Sequence, residues 1–343
     1  MAPRTKLIVL SSVFVVLLGT YIGGTLSISR AGRSPVAGEP LVSEAMVSET
    51  RAVRLSGRGA ATVLRERAAG EWSVRIGDGL FPADGERVEG LLEALAGLRS
   101  VRVAARGEEY FEDFGVDEEA ARVTVLLDEN DETRARLLFG DAVAGGGRMY
   151  ARIGDATDVL IVDRDIGFYF GQQPPYWSDL RPLPDDLNAA GITRLSVDAD
   201  LSIDAETRVV DSFTVFREPA GGGSSWRLET GDGNLREELS QDEVEVWAGR
   251  IAELEAAAFV SDPPLDAGLE EPRARLIFED ENGRTFRLRI GDPAGESRFY
   301  MRVEGPGVDT ADDGEPYLYT VGAWQIRQAL RNRDAIVASA GGN

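Results

Sequence analysis

Apolar residues along this chain fall into two rhythms, one of period 3.6 and one of period 2, and both rhythms occur twice. Val88, Leu91, Leu95 and Leu98 follow Asp84 on one face of a predicted α-helix. Val244, Trp247, Ile251 and Leu254 follow Ser240 with the same spacing, each displaced by 156 residues. Asp84 and Ser240 suit helix N-caps, and Ser240 with Glu243 reads as a capping box. Upstream, GEWSVRIGDG (Gly70–Gly79) matches SSWRLETGDG (Ser224–Gly233). Trp72, Val74 and Ile76, and likewise Trp226 and Leu228, alternate onto one face of a strand that ends in a Gly-Asp-Gly turn.

Downstream, Phe114–Asp141 (FGVDEEAARVTVLLDENDETRARLLFGD) matches Ala267–Asp292 (AGLEEPRARLIFEDENGRTFRLRIGD). Each reads as a strand, an acidic turn and a returning strand, a β-hairpin. RMYARI (Arg148–Ile153) and RFYMRV (Arg298–Val303) follow, aligning Tyr150 with Tyr300 and Arg152 with Arg302. The pattern predicts two tandem α+β units, at about residues 50–184 and 191–336. Each reads β-β-β-α-β-β-β-β-β with a short closing helix. Short turns and a single amphipathic helix indicate a mainly antiparallel sheet with the helix on one face.

Leu7–Leu26 (LIVLSSVFVVLLGTYIGGTL) carries no charge. About 20 apolar residues cross a bilayer as a helix. Arg4 and Lys6 precede the segment, which places the N-terminus in the cytoplasm and the remainder outside it. A cleaved signal peptide has a shorter apolar core and a small-x-small site, and SISRAG supplies none. The expectation is an uncleaved signal anchor in the cell (inner) membrane. Residues 27–49 follow as a linker rich in Gly, Pro, Ser and Ala.

Composition narrows the chemistry. With 37 basic and 59 acidic residues the net charge is −22, which repels nucleic acid. The chain has no His and no Cys, which removes thiol nucleophiles, imidazole bases and the usual zinc sites. The acidic turns Asp128–Glu132 and Glu279–Asn282, and the group Asp309, Asp312, Asp313 and Glu315, offer oxygen ligands. They lack the spacing of a calcium loop, and hairpin turns need the same residue types. A carboxylate pair could hydrolyse glycosides, but 59 acids single out no pair. No catalytic, cofactor-binding or metal residue is therefore assigned. Tyr150 with Arg152, and Tyr300 with Arg302, could grip an anion. The favoured reading is a strand with an inward Tyr and an outward, salt-bridged Arg. Phe168, Tyr169, Phe170, Tyr176 and Trp177 flank a Pro-Pro break. They either bridge the two units or form a contact patch for a partner.

Taken in order, the N-terminal apolar segment, the Trp strand, the VxxLLxxL helix at Val88–Leu95, the Phe114-Gly115 turn, the hairpin closing on Gly-Asp, the YxR strand and YWSDLRPL (Tyr176–Leu183) resemble the bacterial domain of unknown function 4340 family. The resemblance implies a membrane-anchored envelope protein, often encoded beside ABC transporters of the gliding-motility type. It implies an accessory or scaffold role with a transporter permease as partner, and it carries over no catalytic residues. The alternatives are an envelope module binding a polymer or small ligand, and a carboxylate-dependent hydrolase with two acids about 5–10 Å apart in a cleft.

Overall fold

The first strands form because β-branched and apolar residues alternate with polar ones between turn residues. They are β1 (Ala52–Gly57), β2 (Ala60–Ala68), β3 (Glu71–Ile76) and β4 (Gly79–Pro82). After a helix, Gly85–Gly97, come β5 (Ser100–Arg106), β6 (Arg122–Leu127), β7 (Thr133–Ala142), β8 (Met149–Ile153) and β9 (Asp158–Val162). The structure is a computed structural model that describes residues 35–57, 60–220, 223–229, 238–311 and 313–338. The expected anchor at Leu7–Leu26 lies outside the described residues, as do Asp312 and the Gly-Asp-Gly turn after Trp226. Among the described residues no helix is long and apolar enough to cross a membrane.

The first sheet has nine strands in the order β4-β3-β2-β1-β6-β7-β8-β9-β5. The later strands are β10 (Ile192–Ser202), β11 (Arg208–Ala220), β12 (Gly223–Glu229), β13 (Ala258–Phe259), β14 (Ala274–Asp280), β15 (Thr285–Pro293), β16 (Arg298–Glu304) and β17 (Leu318–Gly322). They form an eight-stranded sheet in the order β12-β11-β10-β14-β15-β16-β17-β13. From β3 or β12 onward the two orders correspond strand for strand, so the repeat in the sequence is a repeat of topology. The described pairings are antiparallel in both sheets. In each unit the long helix, Gly85–Gly97 or Gln241–Ala252, joins one edge strand to the opposite edge strand. A connection between opposite edges must cross the sheet, and the apolar stripe of the helix then meets the sheet's inward side chains. Val88, Leu91, Leu95 and Leu98 are buried, as are Val244, Trp247, Ile251 and Leu254.

The helix starts differ. Asp84 Oδ1 accepts a hydrogen bond from the Arg87 N–H at 3.1 Å, as an N-cap should. Ser240 holds the cap position, but its side chain makes no capping bond, so the expected capping box does not form. Gln241 occupies the space instead. Its amide accepts from the Trp226 N–H at 2.6 Å and donates to the Trp226 carbonyl at 3.1 Å, tying the helix start to β12.

The Gly-Asp that closes each long hairpin has a steric cause. A Cβ on Gly140 would collide with the Phe114 carbonyl oxygen, and one on Gly291 with the Ala267 carbonyl oxygen. The crossing segment that approaches so closely turns at Gly115 (φ 64°) and Gly268 (φ 69°), a left-handed conformation that costs other residues energy. Four glycines thus hold two copies of one chain crossing.

Two compact units emerge. The first comprises residues 35–74 and Ala83–Trp177, and the second Arg75–Pro82 and residues 178–338. The far end of the β3–β4 hairpin therefore belongs with the second unit. There the Phe81 ring lies 4.9 Å from Phe259 and 5.6 Å from Tyr317. Part of the expected linker is also structured. The Gly38 and Leu41 N–H groups donate to the Ser100 and Leu98 carbonyls, and Leu41 and Val42 are buried. This segment covers the β5 edge, which would otherwise offer unpaired backbone groups.

Candidate interaction site

The aromatic residues singled out in the sequence form one cluster, all within the first unit. They sit on two single-turn helices, Gly167–Phe170 and Pro174–Trp177, that follow β9. Trp177 is wholly buried, and its ring packs 6.0 Å from Tyr169 and 5.0 Å from Tyr176. Phe170 is buried too, 5.7 Å from Phe139 of β7. These two are core residues. Phe168 is 61% exposed, with Tyr169 and Tyr176 each 5.5 Å from its ring and set edge-on.

The cluster is fastened to the first long helix. Tyr169 donates through its hydroxyl to the Gly90 carbonyl at 3.1 Å. Burial, with Tyr176 and Glu93 nearby, pushes the Tyr169 hydroxyl pKa upward, so it stays a neutral donor. The Asp84 N–H donates to the Trp177 carbonyl at 2.8 Å. Arg87 pairs with Asp84 at 3.0 Å, donates to the Tyr176 carbonyl, and holds its guanidinium 5.0 Å over the Tyr176 ring. Arg87 was not among the residues the sequence flagged. A lone Arg one turn into a helix gives no signal until its partner is known.

The second unit presents an aromatic at a matching place. Phe168 is the second residue of the helix after β9, and Trp324 is the second residue of Ala323–Ala329, the helix after β17. Trp324 is 58% exposed. YWSDLRPL, present once, is where the chain passes between units, with Trp177 ending the first and Ser178 beginning the second.

The Tyr-x-Arg strands correct the expectation of an inward Tyr beside an outward Arg. Residues two apart share a face of a strand. Met301 and Val303 point inward, so Tyr300 and Arg302 both point away from the core. In the first unit that outward face is itself roofed. Arg152 is 4% exposed, stacks 4.3 Å from the Phe111 ring, and donates to the Val116 and Gly154 carbonyls and to Glu118. Glu118 also binds Arg136 at 2.9 Å, and these two guanidiniums hold its carboxyl pKa below the ordinary value against a smaller opposing effect of burial.

The acidic turns are a shared folding device. Asp128 Oδ1 accepts the N–H groups of Asn130 and Glu132, and its other oxygen lies 2.8 Å from Arg134. Asp280 repeats this with the N–H groups of Asn282 and Arg284 and with the Arg284 side chain at 2.7 Å. Burial alone would raise both carboxyl pKa values, but these donors outweigh it and hold both below 3.8. With their oxygens already engaged, the two aspartates are poor calcium ligands. Among the described residues no three acidic side chains are placed to hold a metal ion.

A mainly antiparallel sheet crossed by one helix, and made twice, defines the class of protein. The family model described as "Domain of unknown function (DUF4340)" matches residues 72–263, from β3 in the first sheet to just past β13. The chain belongs to that family. It is also similar, at 22% identity over 140 residues, to a Treponema pallidum (strain Nichols) protein described as "Uncharacterized protein". That match takes in 41% of this chain and 44% of the relative, so the chain spans less than half of the relative's length.

Proposed function

We propose that the chain is a membrane-anchored, extracytoplasmic and non-catalytic scaffold that acts by contact with an integral-membrane protein. One observation carries this reading: Phe168 stands 61% exposed on aromatics that are themselves fixed to a helix. Interfaces draw most of their energy from a few aromatic and Arg anchors, and an anchor held rigid beforehand loses little entropy on binding. The uncharged Leu7–Leu26 segment supports a tether, which would raise the effective concentration of the aromatic surface for a partner in the same bilayer. The absence of His and Cys from the sequence favours binding over chemistry. The family resemblance makes an ABC transporter permease the partner of choice.

A photo-cross-linker at exposed Gln173, activated in native membranes, should capture a permease. Phe168→Ala should lower the yield while leaving the fold intact, since Phe168 is a surface residue. Capture of no membrane protein, together with full activity of an anchor-free form in cells, would sink the proposal.

A further inference from the structure

The outward faces of the two sheets differ at corresponding positions. In the first sheet Leu138 lies opposite Val123 on β6 and Arg152 on β8. In the second, Arg289 lies opposite Arg275 on β14 and Arg302 on β16. A row with one buried arginine has become a row of three, in a chain of net charge −22. Like charges directly opposed on antiparallel strands destabilise a sheet, so the fold gives no reason for them.

Their hydrogen bonding is also incomplete. Each nitrogen of Arg152 has an acceptor. The Nε of Arg302 is buried with no acceptor, and the nearest carboxylate to its guanidinium is Glu315 at 4.0 Å. Such an unmet buried donor calls for an explanation. Arg287, next to this row and opposite Glu304, has no ion-pair or hydrogen-bond partner among the described residues. Its counterpart Arg136 is joined to Arg152 through Glu118. Glu271, three residues after Gly268 as Glu118 is after Gly115, makes no such bridge among the described residues. The remaining acids are Asp198, 3.3 Å from Arg275, and Glu304, 3.2 Å from Arg289. Of these four guanidiniums Arg287 has no carboxylate partner, and the other three hold surface pairs that a competing anion can displace.

Arg275 also lines a shallow depression of about 390 Å³ on this face. Its other polar residues are Ser196, Asp198, Ser212, Thr214 and Glu229. Hydroxyls and carboxylates together suit a polyhydroxylated ligand, whose hydroxyl groups can donate to Asp198 and Glu229. We propose that this face of the second sheet binds an anionic sugar. Arg287 and Arg289 hold its carboxylate or phosphate, and Ser196 and Asp198, two strands away on β10, bond its hydroxyls. The site is independent of the aromatic surface on the first unit.

Calorimetric titration of the full chain in detergent tests this, with glucuronate and glucose 6-phosphate as probes and with glucose and inorganic phosphate as controls. At least one anionic sugar should bind saturably, and whichever binds identifies the acidic group. The double variant Arg287→Gln/Arg289→Gln should bind at least about tenfold more weakly, the loss expected for charged hydrogen bonds. Arg136→Gln in the first unit should leave binding unchanged. Failure of both sugars to bind at millimolar concentration, or unchanged binding by the double variant, overturns the proposal. Inorganic phosphate binding as tightly as the sugar phosphate overturns the sugar assignment.

Discussion

Two sheets of one topology carry opposite outward faces. The first is sealed, with Arg152 held over the Phe111 ring, Phe114 packed against Tyr150, and Glu118 closing two guanidiniums. The second leaves the same positions to a row of half-open arginines. The inward residues, buried under the helix in both, are alike in character. Register and topology therefore follow from the inward pattern and from the glycines at the chain crossing. The outward face is free to become a second small core or a binding surface.

The largest expected effect tests whether the inward cores are truly equivalent. Trp226 is 1% exposed, donates through its indole N–H to Glu245 at 3.0 Å, and lies 4.6 Å beneath Arg217. Trp72 is 7% exposed. Trp226→Ala should cost about 4–5 kcal/mol and Trp72→Ala about 3 kcal/mol, within the usual range for emptying an aromatic core site. Denaturant unfolding of the full chain measures both. A parent-like midpoint for either variant means that its Trp does not hold that core together.

The outward difference predicts a smaller, unequal pair of effects. Arg152→Leu strands two carbonyls and removes one of the two guanidiniums on Glu118, and should cost about 2–3 kcal/mol. Arg302→Leu removes a loosely paired, unsatisfied guanidinium and should cost less than about 1 kcal/mol. Equal losses in the same unfolding experiment would show that the two faces are energetically alike.

The smallest effect concerns what the units share. Asp128 and Asp280 have folded-state pKa values below their ordinary 3.8. A depressed carboxyl stabilises the fold above its unfolded pKa, and that contribution is lost as the pH falls through the folded value. Stability should therefore decline below about pH 4, and Asp128→Asn or Asp280→Asn should each flatten the decline in an acid titration followed by circular dichroism. A response from only one variant would mean that the two hairpin turns are not the same device.

Much of the frame was legible in the sequence because it rests on local periodicity. The eight apolar positions read as two helix faces are all buried, though Leu98 and Leu254 fall just past the helix ends, and the acidic turns are hairpin turns. What escaped depends on contacts distant in sequence. Residues 38–42 show no strand alternation, because the β5 edge sets their conformation from outside. The Gly-Asp pair was visible as a motif, but its cause is a carbonyl from a separate segment. At the candidate site, Pro-Pro and the aromatics marked the right segment, yet nothing local separated buried Phe170 and Trp177 from exposed Phe168. Trp324 went unnoticed because a helical Trp near Ile326 reads as core. The shared face of Tyr300 and Arg302 was available from period 2 alone.

The placement of Arg75–Pro82 in the second unit bears on how the chain is made. Phe81 leaves the ribosome about 180 residues ahead of Phe259, the ring it finally packs against. At ~5–20 residues per second that is a wait of roughly 9–36 s. The first repeat can close its helix over its own strands during this time, but its hairpin tip stays unmatched until about half of the second repeat has been made. Neither repeat can thus be cut out as a continuous piece without leaving an aromatic ring uncovered, and the final long-range contact is of the kind that slows folding.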